Sequence, residues 1–223
     1  MERDALNEAL GDQLQPTRRR IILALKQRGG MTAAELAEML GITSMGVRRH
    51  LTTLERDRLV RYDLVQRGKG RPSYVYHLSA QAEDLFPKNY ASLANELLAY
   101  MALRDGEHAV IELLDMRAQR RIRNARARTD GLPLPERVAA LADILTTEGY
   151  LADYQKLEDG SFLLREHNCA VHDVADEHRH LCRTEISFLQ AVLPDAEIAR
   201  EEHMLAGQAA CSYRIRRREP ARG

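Results

Sequence analysis

Apolar positions near the start of the chain recur with a helical period and then switch to alternation. Ile21, Ile22 and Leu25 form a stripe over Arg18–Arg28, which Gly29-Gly30 ends. Thr32 followed three residues later by Glu35 is a capping-box signature. It predicts a helix over Ala33–Leu40 that buries Leu36, Ala37 and Leu40 before Gly41 turns the chain. Thr43 or Ser44 caps a second helix running to about Arg58, with Val47, Leu51 and Leu54 on its inner face. Two strands follow, Leu59–Gln66 and Ser73–Leu78, the second alternating Tyr74, Tyr76 and Leu78. A short helix, a glycine turn, a second helix and a β-hairpin together spell a winged helix–turn–helix.

Helical periodicity returns downstream. Ser79 starts a short helix that ends near Phe86 and is broken by Pro87. Residues 90–103 place Leu93, Leu97, Leu98 and Met101 on one stripe, and Glu107–Arg128 holds Val110, Leu113 and Leu114 inside. Arg117, Arg120, Arg121, Arg123, Arg126 and Arg128 encircle that last helix, which reads as a solvated or acid-paired end rather than a second DNA contact. Asp130-Gly131-Leu132-Pro133 closes it. Pro135–Gly149 is helical, and Tyr150–Leu157 and Ser161–Glu166 alternate as strands around Glu158-Asp159-Gly160. A long helix over Val171–Val192 and strands Ile198–Met204 and Cys211–Arg216 complete the pattern. The expected class is α+β: a winged helix–turn–helix (1–79), a central helical linker and dimerisation region (80–131), and a small C-terminal α+β sensor domain with an antiparallel sheet (132–223).

Charge sharpens this division. The formal net charge is zero, yet residues 16–78 carry 13 Lys/Arg against 5 Asp/Glu, a net of +8 balanced by the rest. A basic lobe on an acidic remainder fits a double-stranded DNA reader with a separate sensing domain. On the second helix Met45, Arg49, Thr52 and Thr53 face away from the core, with Ser44 at the N-terminal end and Arg48 on the flank. Arginine matches guanine through paired donors, and a helix N-terminus holds a phosphate. The hairpin tip carries Arg67, Lys69 and Arg71 between glycines, a composition suited to phosphates or the minor groove. A two-fold reader on two half-sites makes a homodimer the expected assembly, with the middle helices as its seam.

No apolar run approaches the roughly 18 residues of a membrane span, and the charged start MERDALNEALGDQ is unlike a signal peptide, so no membrane association and a cytoplasmic location are expected. No glycine-rich phosphate loop, HExxH or GxSxG occurs, which argues against an enzyme. The three cysteines, Cys169, Cys182 and Cys211, stand in the pattern Cys-x12-Cys-x28-Cys. In a reducing compartment an odd set of thiols favours metal binding or free thiols over disulfides. Thiolates select zinc, copper(I) or iron–sulfur clusters, although cysteine also serves as a small buried apolar residue. Three readings stay open: an iron–sulfur sensor, a zinc or thiol-redox regulator, and a small-molecule sensor with incidental cysteines.

The wing Gly70-Arg71-Pro72-Ser73-Tyr74-x-Tyr76-x-Leu78 resembles that of the SufR family of iron–sulfur-cluster-dependent winged-helix repressors. So does the stretch with Asn168-Cys169, Val174-Ala175, His178, Leu181-Cys182 and Glu185, then Gly207 and Cys211-x-Tyr213-x-Ile215. The resemblance spans about residues 16–215. It implies a dimeric repressor of cluster-assembly operons holding an iron–sulfur cluster, of the 4Fe–4S type, on Cys169, Cys182 and Cys211. In the family pattern Cys-x12-Cys-x13-Cys-x14-Cys the third cysteine falls at Ala196 here, so a fourth ligand must come from elsewhere. His178, four residues before Cys182 on the expected helix, is the first candidate; His172, His180, His203, Asp195, Glu197, a small thiol or water could also fill the place.

Overall fold

A computed structural model describes residues 14–66 and 72–218. The chain forms two compact units, 1–88 and 89–223.

The first unit contains α1 (Pro16–Arg28), β1 (Met31–Thr32), α2 (Ala33–Leu40), α3 (Ser44–Arg56), β2 (Val60–Val65), β3 (Ser73–Leu78) and a single-turn 3-10 helix, Gln81–Leu85. The capping box forms as the sequence predicts: the Thr32 hydroxyl accepts from the Glu35 N–H, and the Glu35 carboxylate accepts from the Thr32 N–H. Gly41 ends α2 in the left-handed region at φ 67°, where a side chain would be strained. Thr43 caps α3 by accepting from the Gly46 N–H. Ile21, Ile22, Leu25, Leu36, Val47, Leu51 and Leu54 fill one core. The sheet order is β1-β3-β2, all antiparallel. Strand β1 has no signature in the sequence, because two residues are too few to show alternation.

The second unit contains α4 (Tyr90–Asp105), α5 (Glu107–Thr129), α6 (Leu134–Thr147), β4 (Ala152–Lys156), β5 (Phe162–Glu166), α7 (His172–Glu177), α8 (His180–Val192), β6 (Ala196–Glu202), a 3-10 turn Met204–Ala206, and β7 (Cys211–Arg217). Thus α4 and α5, expected in a separate linker, share a compact unit with the sheet. The antiparallel sheet has order β4-β5-β7-β6, and its core face packs on α6, α8 and the end of α5 through Leu141, Leu145, Leu164, Phe188, Leu189 and Tyr213. No helix among the described residues is long and apolar enough to cross a membrane.

Three expectations are corrected here. The single helix over Val171–Val192 is two, broken at His178–Arg179. Ala175 and Leu181 are both buried in one apolar cluster with Leu98, Val110 and Leu114. In a continuous helix those two positions lie about 120° apart around the axis, and the break brings both onto that one cluster. Leu113, expected inside, is exposed, while Val110 and Leu114 are buried as expected. On α4 Leu98 is buried and Met101 half-buried, but Leu93 and Leu97 face outward.

Candidate functional site

In the first unit α3 presents Ser44, Met45, Arg48, Arg49 and Thr52 to solvent; Thr53 sits half-buried on the flank. The Thr52 and Thr53 hydroxyls donate to the carbonyls of Arg48 and Arg49, so their oxygens are left as acceptors toward the outside. Met45 is 78% exposed, an apolar side chain at the helix start with no core to fill. Arg67, Lys69 and Arg71 at the wing tip lie outside the described residues. Along the wing strands Tyr62 pairs with Tyr76, and Tyr62 meets Tyr74 edge-on with ring centroids 5.0 Å apart. Arg48 sits close enough to Tyr76 to favour its phenolate, although burial of that ring dominates and raises the pKa. Tyr62 and Tyr74 are exposed on the wing strands, and neither is among the residues that the sequence pattern assigns to DNA contact.

In the second unit the sheet supplies one end of a cavity. Along β5, Phe162, Leu164 and Glu166 share the core face; along β6, Ala196, Ile198 and Arg200 do; along β7, Cys211, Tyr213 and Ile215 do. Antiparallel register sets Glu166 opposite Cys211 and Arg200 opposite Tyr213. The core face thus changes from apolar to polar at one edge of the sheet. There Cys169 and Val171, from the loop after β5, join Ala175, Leu181, Cys182, Glu185, Arg117 and Tyr150 to close a narrow cavity of about 30 Å³. All three cysteines and His203 line it. His178 does not line it, and the helix break at His178 removes the one-turn relation to Cys182 that made it attractive.

The electrostatics of the cavity are those of a partly dry site. Burial raises the pKa of Cys169, Cys182 and Cys211, and each thiol is pushed further by another: Cys169 by Cys182, Cys182 by Cys211, Cys211 by Cys169. Arg200 acts in the opposite sense on Cys182 and Cys211, and the Met204 N–H donates to Cys211 Sγ at 3.4 Å. Burial and then the Glu185 charge push Glu166 up to about 8. Burial, reinforced by Arg200 and Arg179, holds the His203 imidazole below its usual range. Its Nε2 is buried with no hydrogen-bond partner.

The remaining side chains considered as a fourth donor lie away from the cavity. His172 pairs with Asp173 and His180 with Asp115 at 2.7 Å; Asp195 is taken by Arg137, and Glu197 is exposed on β6. Ala196, where the family pattern has cysteine, is fully buried in the main core. Among the described residues no three His, Cys, Asp or Glu side chains converge closely enough to hold a single metal ion. The thiols surround a space rather than meet at a point.

A family model described as a helix-turn-helix domain matches residues 14–63. No curated protein matches the chain. Among solved structures, a possible transcriptional regulator from Methanosarcina mazei is 16% identical over 46% of this chain and 88% of its own, with a TM-score of 0.30. The adhesin competence repressor AdcR of Streptococcus pyogenes is 18% identical, covering 53% of this chain and 87% of its own, with a TM-score of 0.30. PadR of Bacillus subtilis, in complex with operator DNA, is 10% identical over 80% of this chain and 99% of its own, with a TM-score of 0.30.

Proposed function

We propose that this winged-helix DNA-binding transcriptional regulator is a homodimeric repressor of iron–sulfur cluster assembly genes that senses a cluster held by Cys169, Cys182 and Cys211. The observation that carries the reading is the meeting of all three cysteines, from a loop, a helix and a strand, on one cavity. The residues present fit such a group. Three soft donors face a common space, Arg200 stands by to offset thiolate charge, and a buried imidazole nitrogen lacks a partner. A single zinc draws its sulfurs to about 2.3 Å, whereas ligands on different irons stand farther apart. Zinc, iron and sulfide contents separate the two.

When bound, a cluster supplies a redox- and iron-dependent cross-link. The chain supplies the rest. Thiols held protonated by burial lose their protons on metallation, and Arg200 compensates the charge that develops. A cavity of about 30 Å³ admits one water, so a larger group enters only as a wall gives way. Outside the sheet the walls are the loop before α7, the six-residue α7, Tyr150, and parts of α5 and α8, and of these the loop and α7 are the shortest segments. Asn95 of α4 donates to the Asp173 carbonyl and to Glu177 at 2.6 Å, so a change in α7 reaches α4 directly. The outer face of α4, with exposed Tyr90, Leu93, Leu97 and Tyr100, is the seam for the second copy. Loading then alters DNA affinity by as much as it favours one dimer arrangement over the other.

The test is anaerobic purification with iron, sulfide, zinc and visible absorption measured on one sample. Near-stoichiometric iron and sulfide, lost on Cys182→Ala, supports the reading. Colourless protein after full reconstitution overturns it. At the reader, Arg49→Ala is expected to relax preference at one base position at a cost of about 1–3 kcal/mol. Equal losses on operator and unrelated DNA would assign Arg49 to a phosphate instead.

A further inference from the structure

We propose that His203 is the fourth protein ligand of the cavity, binding through Nε2 on an iron that the three cysteines leave open; this rests on the cluster reading above. A buried ring nitrogen without a partner calls for an explanation, because interior polar atoms are nearly always satisfied. His77, His167, His172 and His180 each lie against a carboxylate. The Nε2 of His203 has no such partner, and the residue lines the same cavity as the cysteines.

The backbone delivers His203 and Cys211 together. His203 ends β6 and opens the turn Met204–Ala206, where the Ala206 N–H donates to the His203 carbonyl and the His203 N–H donates to the Gln208 side chain. The next residue, Met204, donates its N–H to Cys211 Sγ. One clasped turn therefore places His203 directly before the residue whose N–H meets the Cys211 thiol. Glu166 is the rival, since its Oε1 is also buried and unpartnered. Its other oxygen faces the Tyr213 hydroxyl at 3.5 Å, and a hard carboxylate suits iron–sulfur chemistry less well than imidazole, which replaces cysteine on one iron of Rieske centres.

The experiment is pulsed electron paramagnetic resonance on anaerobically purified, dithionite-reduced full-length protein, with and without 15N-histidine labelling. The expected result is a strongly coupled histidine nitrogen in the natural protein. It disappears in His203→Cys and in His203→Ala, while iron and sulfide contents in His203→Cys stay near the natural protein's. His203→Cys is expected to have a lower reduction potential, because imidazole ligation raises it. His203→Ala is expected to lose its visible absorption several-fold faster in air. Cysteine is smaller than the ring it replaces and keeps a ligand, so it reports even where alanine fails to fold. A coupled nitrogen that survives either substitution, or a reduced cluster with no histidine coupling, overturns the assignment and leaves the cluster reading standing. Natural protein that takes up no iron and sulfide overturns both.

Discussion

Arg121→Ala is expected to cost the second unit about 3–5 kcal/mol, which is a large share of the roughly 5–15 kcal/mol that holds a typical domain folded. The Arg121 side chain is 6% exposed and lies in the middle of α5. Its Nη1 donates to Glu185 at 2.6 Å, its Nη2 to Glu148 at 2.6 Å, and its guanidinium stacks over Phe188 at 4.2 Å from the ring centroid. Burial alone would discourage the charge, but Glu185 and Glu148 more than offset it and the guanidinium's pKa is raised. Truncation leaves Glu185 buried without its counter-ion, and an uncompensated interior charge is what makes breaking such a pair expensive. Arg121→Lys is expected to recover little, since an ammonium cannot span two carboxylates with a planar fork. Replacing the buried pair together, as Arg121→Met with Glu185→Leu, is expected to be milder than Arg121→Ala, because the only charge then left without its partner is Glu148, which is 32% exposed and keeps access to water. Urea midpoints of the three variants decide the matter. If Arg121→Ala unfolded at the natural midpoint, the ion pair would be structurally idle.

Arg121 also marks the boundary of what the sequence makes legible. Six arginines wrapped around α5 read as solvated or acid-paired from their spacing; most are exposed, and Arg121 is acid-paired. That one of them is buried depends on acids 27 and 64 residues away, which no local pattern exposes. Local chemistry, by contrast, is readable where it closes within a few residues: the Thr32–Glu35 box, the Gly41 turn, the Tyr74–Tyr76–Leu78 strand and the hairpin at Glu158–Gly160. The walls of the cysteine cavity do leave a signal in the sequence. Glu166 and Arg200 continue the core-facing alternation of Phe162–Leu164 and Ala196–Ile198, and a charged residue on a core face is informative. The same alternation points to Cys211 and Tyr213. The spacing of His178 from Cys182, by contrast, misleads, because the helix on which it depends is broken at His178–Arg179.

Leu93→Glu with Leu97→Glu is expected to convert the proposed dimer to a monomer and to lower operator affinity by about 100-fold or more, the avidity lost when one reader binds alone. Tyr90, Leu93, Leu97 and Tyr100 are 72%, 53%, 60% and 67% exposed on the face of α4 opposite Asn95 and Leu98. Their spacings of three, four and three residues make an apolar seam of coiled-coil type. Read from either end the seam is the same: in an antiparallel pair about a two-fold axis, Tyr90 meets Tyr100 and Leu93 meets Leu97. A two-fold interface must be self-complementary, and this face meets that demand with large apolar side chains, tyrosine among them, and no charge along its centre. A second copy of this chain is the partner that the proposed function assigns to this face. Glutamates there would stand in water in a monomer and be buried against each other in a dimer, so the variants are expected to keep their helical circular dichroism and their iron while losing mass by analytical ultracentrifugation. Leu98→Glu is the contrasting case: Leu98 is buried against Ala175 and Leu181, so its replacement is expected to unfold the unit rather than split the dimer. A Leu93→Glu, Leu97→Glu protein that sediments as the natural one does would remove α4 from the interface. It would also cut the route from α7 through Asn95 by which the cysteine cavity reaches DNA binding.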